Sequence, residues 1–299
     1  MKKVIEVKQL TKSYGQFNAV QDASFSIYEG KIYGLLGRNG AGKTTLMKMI
    51  TAQIFPTAGE LNVFGENPYE NSNALSQICF IKESQSYPNH YSVLDVSKVS
   101  KSIFPNWDDN LSNALVADFN LPLKRRIKQL SRGMLSAVGI VIGLASRAPL
   151  TIFDEPYLGL DAVSRELFYN KLLEDYSEHP RTVVLSTHLI DEVSNLLEHV
   201  LVIDNGKLII DKNAEELRGK AYTVTGQSTK VENFLVGKET VHREPFGGLL
   251  SATVIHGQED ASGQIQAAKS GLEISPVSLQ QLIIHLTHGK SHQKGAVVQ

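Results

Sequence analysis

The sequence predicts an α/β fold with four parts: a parallel sheet core, an antiparallel β subdomain beside it, a helical subdomain and a small C-terminal α+β domain. Three observations predict it. A glycine-rich loop, Gly37-Arg38-Asn39-Gly40-Ala41-Gly42-Lys43-Thr44, separates a short apolar run from an amphipathic stretch. Two further short apolar runs, at 150–153 and 183–185, have the length and composition of buried parallel strands. The dipeptide Asn205-Gly206 joins two more apolar runs, which is the strongest short-range hairpin signal.

The elements follow in order. Val4-Ile5-Glu6-Val7-Lys8 and Ala23-Ser24-Phe25-Ser26-Ile27-Tyr28 alternate apolar and polar residues, so two antiparallel strands are expected before the loop. Residues 31–37 read as a buried strand and 43–54 as an amphipathic helix. From 84 to 147 strand signals fade, and helical spacing appears at 93–103, at 111–119 and from Gly133 onward. A helix is expected over 163–176, between the two parallel-type strands. After 218 Gly, Ser, Thr and His become frequent, a β-like run appears at 251–255, and a closing helix is expected at 277–287. The polar tail from Gly289 reads as disordered. The domains are therefore placed at 1–218 and 219–299. There is no internal repeat and no heptad pattern.

Composition narrows the function. A chain of 299 residues with 42% hydrophobic content buries a full core, and its length suits one large domain plus a smaller one. Its 30 basic and 31 acidic residues give no global attraction to nucleic acid. The single cysteine, Cys79, excludes an internal disulfide. The N-terminal residues lack the apolar core of a secretory signal. The longest apolar run, 137–145, is too short to cross a bilayer, which takes about 20 residues. It reads as a helix packed inside the protein. The chain is expected to be soluble, with any membrane role arising through a partner.

The loop at 37–44 matches G-x-x-x-x-G-K-[ST], the phosphate-binding P-loop. Its backbone N–H groups would form a concave anion site at a helix N-terminus. Lys43 would reach the β- and γ-phosphates, and the Thr44 hydroxyl would ligate Mg²⁺. Downstream, Leu150-Thr151-Ile152-Phe153-Asp154-Glu155 is an apolar strand ending in two carboxylates. Asp154 can hold Mg²⁺ beneath the phosphates. Glu155 is then free to polarise an attacking water as general base. The competing reading, Asp-Glu as a helix N-cap, is weakened by Pro156 and by the upstream P-loop.

On these residues and their order, the chain resembles the ATP-binding-cassette (ABC) ATPases over about residues 1–218. Tyr14 precedes the P-loop; Leu130-Ser131-Arg132-Gly133-Met134 stands where the family has its LSGGQ signature. Asp154-Glu155-Pro156 follows, then the D-loop Gly159-Leu160-Asp161, then Ser186-Thr187-His188 with the switch histidine. The resemblance implies ATP and Mg²⁺ as cofactors. ATP would be held by Tyr14, stacked on adenine, and by Gly37, Arg38, Asn39, Gly40, Ala41, Gly42, Lys43, Thr44 and Thr45. Glu155 and His188 would be catalytic. Ser131 and Gly133 would act in trans on the γ-phosphate of a second ATP-binding subunit, and Asp161 would link the two sites. It further implies a homodimer or a sister-subunit heterodimer, and a place on the cytoplasmic face of the membrane through an integral membrane permease. A single cassette with a short C-terminal domain is similar to the ATPases of bacterial drug and antibiotic exporters. The alternative is a soluble ABC ATPase acting on nucleic acid or the ribosome. Those carry tandem cassettes or long coiled coils, and neither pattern is present.

Three places depart from the family pattern. Arg132 replaces a glycine and Met134 a glutamine in the signature. At the Q-loop either Glu83 or Gln85 takes the glutamine's place as a possible Mg²⁺-shell donor, and the sequence leaves both open. Tyr157 replaces the usual threonine after Asp-Glu-Pro, with an effect expected on packing only. Tyr87, Tyr91, Phe104 and Trp107 line either a permease groove or the helical core. His285, His288 and His292 are not read as a metal site, because two of them lie in or near the tail, where histidines are expected to be solvated.

Overall fold

The computed structural model describes residues 2–83, 85–255, 267–268 and 270–292, and divides the chain into two compact units. The first comprises 1–188 and 196–211; the second comprises 189–195 and 212–299. The boundary thus falls ahead of residue 218, and a short segment at 189–195 groups with the C-terminal part.

In the first unit, β1 (Lys3–Tyr14), β2 (Phe17–Tyr28) and β4 (Ala58–Val63) form an antiparallel sheet in the order β2-β1-β4. The second sheet holds β3 (Ile32–Leu36), β5 (Ile78–Ile81), β6 (Leu150–Asp154), β7 (Thr182–Thr187), β8 (His199–Asp204) and β9 (Lys207–Asn213). Their order is β5-β6-β7-β3-β8-β9, with β5 through β8 parallel. β3, β6 and β7 are buried at every position, as expected of strands covered on both faces. The β8–β9 turn places Asn205 and Gly206 at φ 46° and 77°, the two positive values a type I′ turn needs.

Helix α1 (Lys43–Ile50) starts at the P-loop and buries Leu46, Met47, Met49 and Ile50. It ends short of the expected 54: the Thr51 hydroxyl donates back to Met47 O at 2.9 Å, and Ala52 takes a left-handed φ of 53°. A short α2 (Ser72–Leu75) leads to β5. The stretch of fading strand signal contains α3 (Val93–Ile103), α4 (Asp109–Asp118) and α5 (Arg132–Ala145). α3 opens with a full capping box between Ser92 and Asp95. α5 buries every residue from Ala137 to Ala145. Tyr87, Tyr91, Phe104 and Trp107 are all half-buried there. α6 (Ala162–Glu178) follows β6.

In the second unit β10 (Ala221–Gln227), β11 (Thr240–Phe246), β12 (Leu249–Ile255) and β13 (Glu273–Pro276) form an antiparallel sheet ordered β11-β12-β10-β13. α9 (Ser228–Leu235) crosses over from β10 to β11, and Ala267 and Ala268 are helical within the β12–β13 connection. This is the split βαβ pattern, built twice on one sheet. Its core gathers Tyr222, Val224, Val231, Phe234, Leu250, Ala252 and Val254. Two short helices, α7 (Ile190–Val193) and α8 (Ala214–Leu217), complete the unit with α10 (Leu279–His292). The α7 residue Asp191 accepts from Ser278 Oγ and Gln280 N at the start of α10. α10 runs through His292, past the Gly289 at which a disordered tail is expected. Residues 293–299 and the side chains of His288 and His292 lie outside the described parts. His285, which lies ahead of the expected tail, is half-buried and stacks on His242 with ring centroids 4.1 Å apart.

Candidate active site

The P-loop turns between β3 and α1. Gly37 adopts φ 155°, and a Cβ there would stand 2.3 Å from Ile203 O, so only glycine fits against β8. The loop delivers Lys43 as the first residue of α1, with its ammonium almost fully buried. Lys43 Nζ donates to Gly37 O at 2.7 Å and Arg38 O at 3.3 Å, and lies 3.5 Å from Glu155 Oε1. The Thr44 hydroxyl donates to Asp154 Oδ2 at 2.8 Å.

β6 ends at Asp154, which is buried. Burial, the largest influence, raises its pKa, and the hydrogen bond from the Thr44 hydroxyl partly opposes the rise. Oδ1 is buried without a hydrogen bond of ordinary geometry. Glu155 then takes a left-handed backbone, φ 49°, which costs a non-glycine residue about 1–3 kcal/mol and marks a functional turn. Its amide donates to Ser186 O on β7, and its Oε2 sits 2.7 Å from Nδ1 of His188, the residue that follows β7. Tyr157 does more than pack. Its buried hydroxyl lies within hydrogen-bond distance of both Glu155 Oε2 and His188 Nδ1. Burial raises its pKa above that of an ordinary phenol.

Lys43, Thr44, Asp154, Glu155 and His188 line one open cleft of about 550 Å³, together with Tyr14, Asn39, Gly40, Ala41, Gly42 and Thr45, while Gly37 and Tyr157 stand behind its wall. Arg38 lines an adjoining polar recess with Asn205 and His188. Glu83 is among the cleft residues and Gln85 is not. Ser131, Gly133 and Asp161 also lie outside the cleft wall. Ser131 caps α5, accepting from Met134 N at 3.2 Å, and Asp161 caps α6, accepting from Ser164 N at 2.7 Å. Those bonds from Ser164 hold the Asp161 carboxyl below the usual range.

Residues 20–158 match the family model described as "ABC transporter". The bacitracin transport ATP-binding protein BcrA of Enterococcus faecalis is 34% identical over 75% of this chain and 74% of its own. The lantibiotic transport ATP-binding protein SrtF of Streptococcus pyogenes is 32% identical over 72% of this chain and 95% of its own. The chain belongs to the ABC transporter ATP-binding proteins. It is an ATP-binding subunit with ATPase activity, of the class that works in pairs and with membrane permeases. The similarity extends into the second unit: ABC transporter ATP-binding protein YtrB of Bacillus subtilis aligns at 22% identity over 96% of this chain and 99% of its own. Among solved structures, an ATP-binding subunit of an ABC transporter superposes with a TM-score of 0.65 at 24% identity. It covers 72% of this chain and 91% of the solved one. No helix among the described residues is long and apolar enough to cross a membrane.

Three cleft residues of this ABC subunit escaped the sequence reading: Phe17, Ala19 and Leu158. Phe17 pairs with Tyr14 across the β1–β2 turn and also lines the cleft, with 63% of its surface exposed. A strand pairing was its only signal. The site also fits a divalent cation. Thr44 Oγ1 and Asp154 offer hard oxygens, one of them the unbonded Oδ1, and Mg²⁺ needs only one or two protein ligands beside phosphate oxygens.

Proposed function

We propose that this cleft binds MgATP and that its hydrolysis powers export through a separate integral membrane permease. One observation carries the reading: Lys43, Thr44, Asp154, Glu155 and His188 converge on a single cleft floored by the P-loop. Thr44 and Asp154 would hold Mg²⁺, which when bound would offset negative charge developing in phosphoryl transfer. Lys43 exchanges its bonds to Gly37 O and Arg38 O for phosphate oxygens, and so releases Glu155. Glu155 accepts a proton from the attacking water, and His188 orients the γ-phosphate. Tyr14 and Phe17 offer exposed faces for the adenine. Glu83 takes the Q-loop position, which its place at the cleft supports.

Ser131 and Gly133 complete the site of a second copy, with Asp161 linking the two. Ser131 already caps α5, whose N-terminal N–H groups and positive dipole end favour phosphate. One chain holds both halves, so a homodimer is sufficient. Relatives named for bacitracin and lantibiotic transport support a role in transport.

The test is ATP binding and hydrolysis by the purified protein, followed by capture from membranes. Lys43→Ala is expected to lose ATP affinity, and hydrolysis in the wild type to rise more steeply than linearly with protein concentration. Recovery of ribosomes or DNA without an integral membrane protein overturns the transport reading.

A further inference from the structure

Tyr157 stands where the family pattern has a small hydroxyl residue, and its ring is 2% exposed. Four groups surround its hydroxyl. Thr187 Oγ1 donates to it at 2.9 Å and His188 N donates at 3.2 Å. Glu155 Oε2 lies 3.1 Å away and His188 Nδ1 3.2 Å away. A phenol has one proton and two lone pairs. Both lone pairs are engaged by Thr187 and the His188 amide, so the proton points to Glu155 or to the imidazole. Those two groups are themselves 2.7 Å apart.

We propose that Tyr157 is a positioning residue for ATP hydrolysis, whose hydroxyl selects the ring nitrogen of His188 that carries the proton. The proposal rests on the reading of Glu155 and His188 given above. Consider an imidazole with one ring proton. At the distances seen here a Glu155 carboxylate can only accept, so Nδ1–H and the Tyr157 O–H would both donate to Oε2, leaving Nε2 an acceptor that repels a phosphate oxygen. When Glu155 turns toward an attacking water, Nδ1 loses that acceptor. The Tyr157 O–H then rotates onto Nδ1, which becomes the acceptor, and the ring carries its proton on Nε2. The exchange runs through water: Nδ1 gives up one proton, Nε2 takes one, and no net charge moves. Nε2–H is then the donor that a γ-phosphate oxygen needs. A threonine at 157 has too short a side chain to span this distance from the same backbone position.

Tyr157→Phe keeps the ring and removes only the hydroxyl. The expected result is a fall of about tenfold in kcat, a tenth or less of what a general base supplies, with ATP affinity within about twofold of wild type. In a His188→Ala background the same change should cost less than about threefold, because the residue it acts through is gone. An unchanged kcat, or an equal loss in both backgrounds, overturns the proposal. A second measurement needs no variant: ¹⁵N shifts of the His188 ring in wild-type protein bound to a non-hydrolysable ATP analogue. Protonated Nε2 with bare Nδ1 is expected, and a proton on Nδ1 overturns the proposal. If the wild type hydrolyses ATP while either test fails, only the role of Tyr157 falls. If the wild type neither binds nor hydrolyses ATP, the cleft assignment falls with it.

Discussion

The first unit departs from its family's pattern in two regions, and solvent treats them oppositely. Tyr157 is buried, with its hydroxyl tied to Thr187, His188 and Glu155. Arg132 and Glu83 are open, at 67% and 46% side-chain exposure, and are paired with each other at 2.9 Å. The buried departure is locked, because removing its hydroxyl takes the acceptor away from the His188 amide, at about 1–3 kcal/mol. The open departure is a compensated one. Glu83 brings an extra negative charge to a cleft that already holds Asp154 and Glu155, and Arg132 brings a positive charge to meet it. An exposed pair of this kind is worth about 0.2–1 kcal/mol and is screened by salt. Burial therefore separates a change that reshapes the catalytic network from one that the chain can accept or lose.

The largest effect that sharpens this contrast lies at the buried centre. Glu155→Gln is expected to reduce ATP turnover by about 10²–10⁴-fold while ATP binding persists, read by steady-state phosphate release beside a binding titration. Turnover equal to wild type would remove the general base from the buried network. Cys79 probes the same depth. It lies on β5, the strand that leads out to Glu83, and burial pushes its thiol up to about 12. The thiol should resist alkylation at pH 8 in the folded protein and react once per chain in denaturant. The native thiol's pKa is raised above its unfolded value. Its contribution to stability is therefore full below about pH 9 and lost as pH rises toward 12. Rapid labelling of the native protein would show β5 opening locally.

How far the sequence reached follows the same division. The convergence of Lys43, Thr44, Asp154 and Glu155 was legible because local chemistry dictates it: glycines that must turn, and an apolar strand that must end in carboxylates. The bounds of α3 were legible from its amphipathic spacing, and the Ser92–Asp95 box secures its start. The rest depended on contacts between distant segments. Choosing Glu83 over Gln85 for the cleft requires the path of the chain after β5, and pairing Phe17 with Tyr14 requires the hairpin register. The hydrogen bonds of Tyr157 need β6 and β7 side by side. The twofold βαβ order of the second unit was hidden because it depends on which distant strands pair, β10 with both β12 and β13. The end of α1 went astray through one side chain, Thr51, that stops the helix from within.

Gly133→Ala tests whether the open region is as tolerant as its exposure suggests. A Cβ at Gly133 would stand 2.5 Å from Gly159 O, a backbone atom with no rotamer to yield. Overpacking of this kind costs about 1–3 kcal/mol. The melting temperature should fall by about 2–4 °C per kcal/mol, measured calorimetrically. An unchanged melting temperature would mean that the loop carrying Gly159 moves freely, and the start of α5 would then be open in its backbone as well as its side chains.

The smallest effect decides whether Arg132 and Glu83 belong together. Arg132→Gly, Glu83→Gln and the double variant form a thermodynamic cycle on ATP affinity. Arg132→Gly leaves the Glu83 carboxylate unpaired beside the phosphates, so affinity should weaken about two- to fivefold, the size of an exposed pair. Adding Glu83→Gln should restore it, because no charge is then left to offset. The difference should shrink as salt rises, since both groups face water. If the two changes simply add, Arg132 and Glu83 are independent, and the open region holds two separate departures rather than one matched pair.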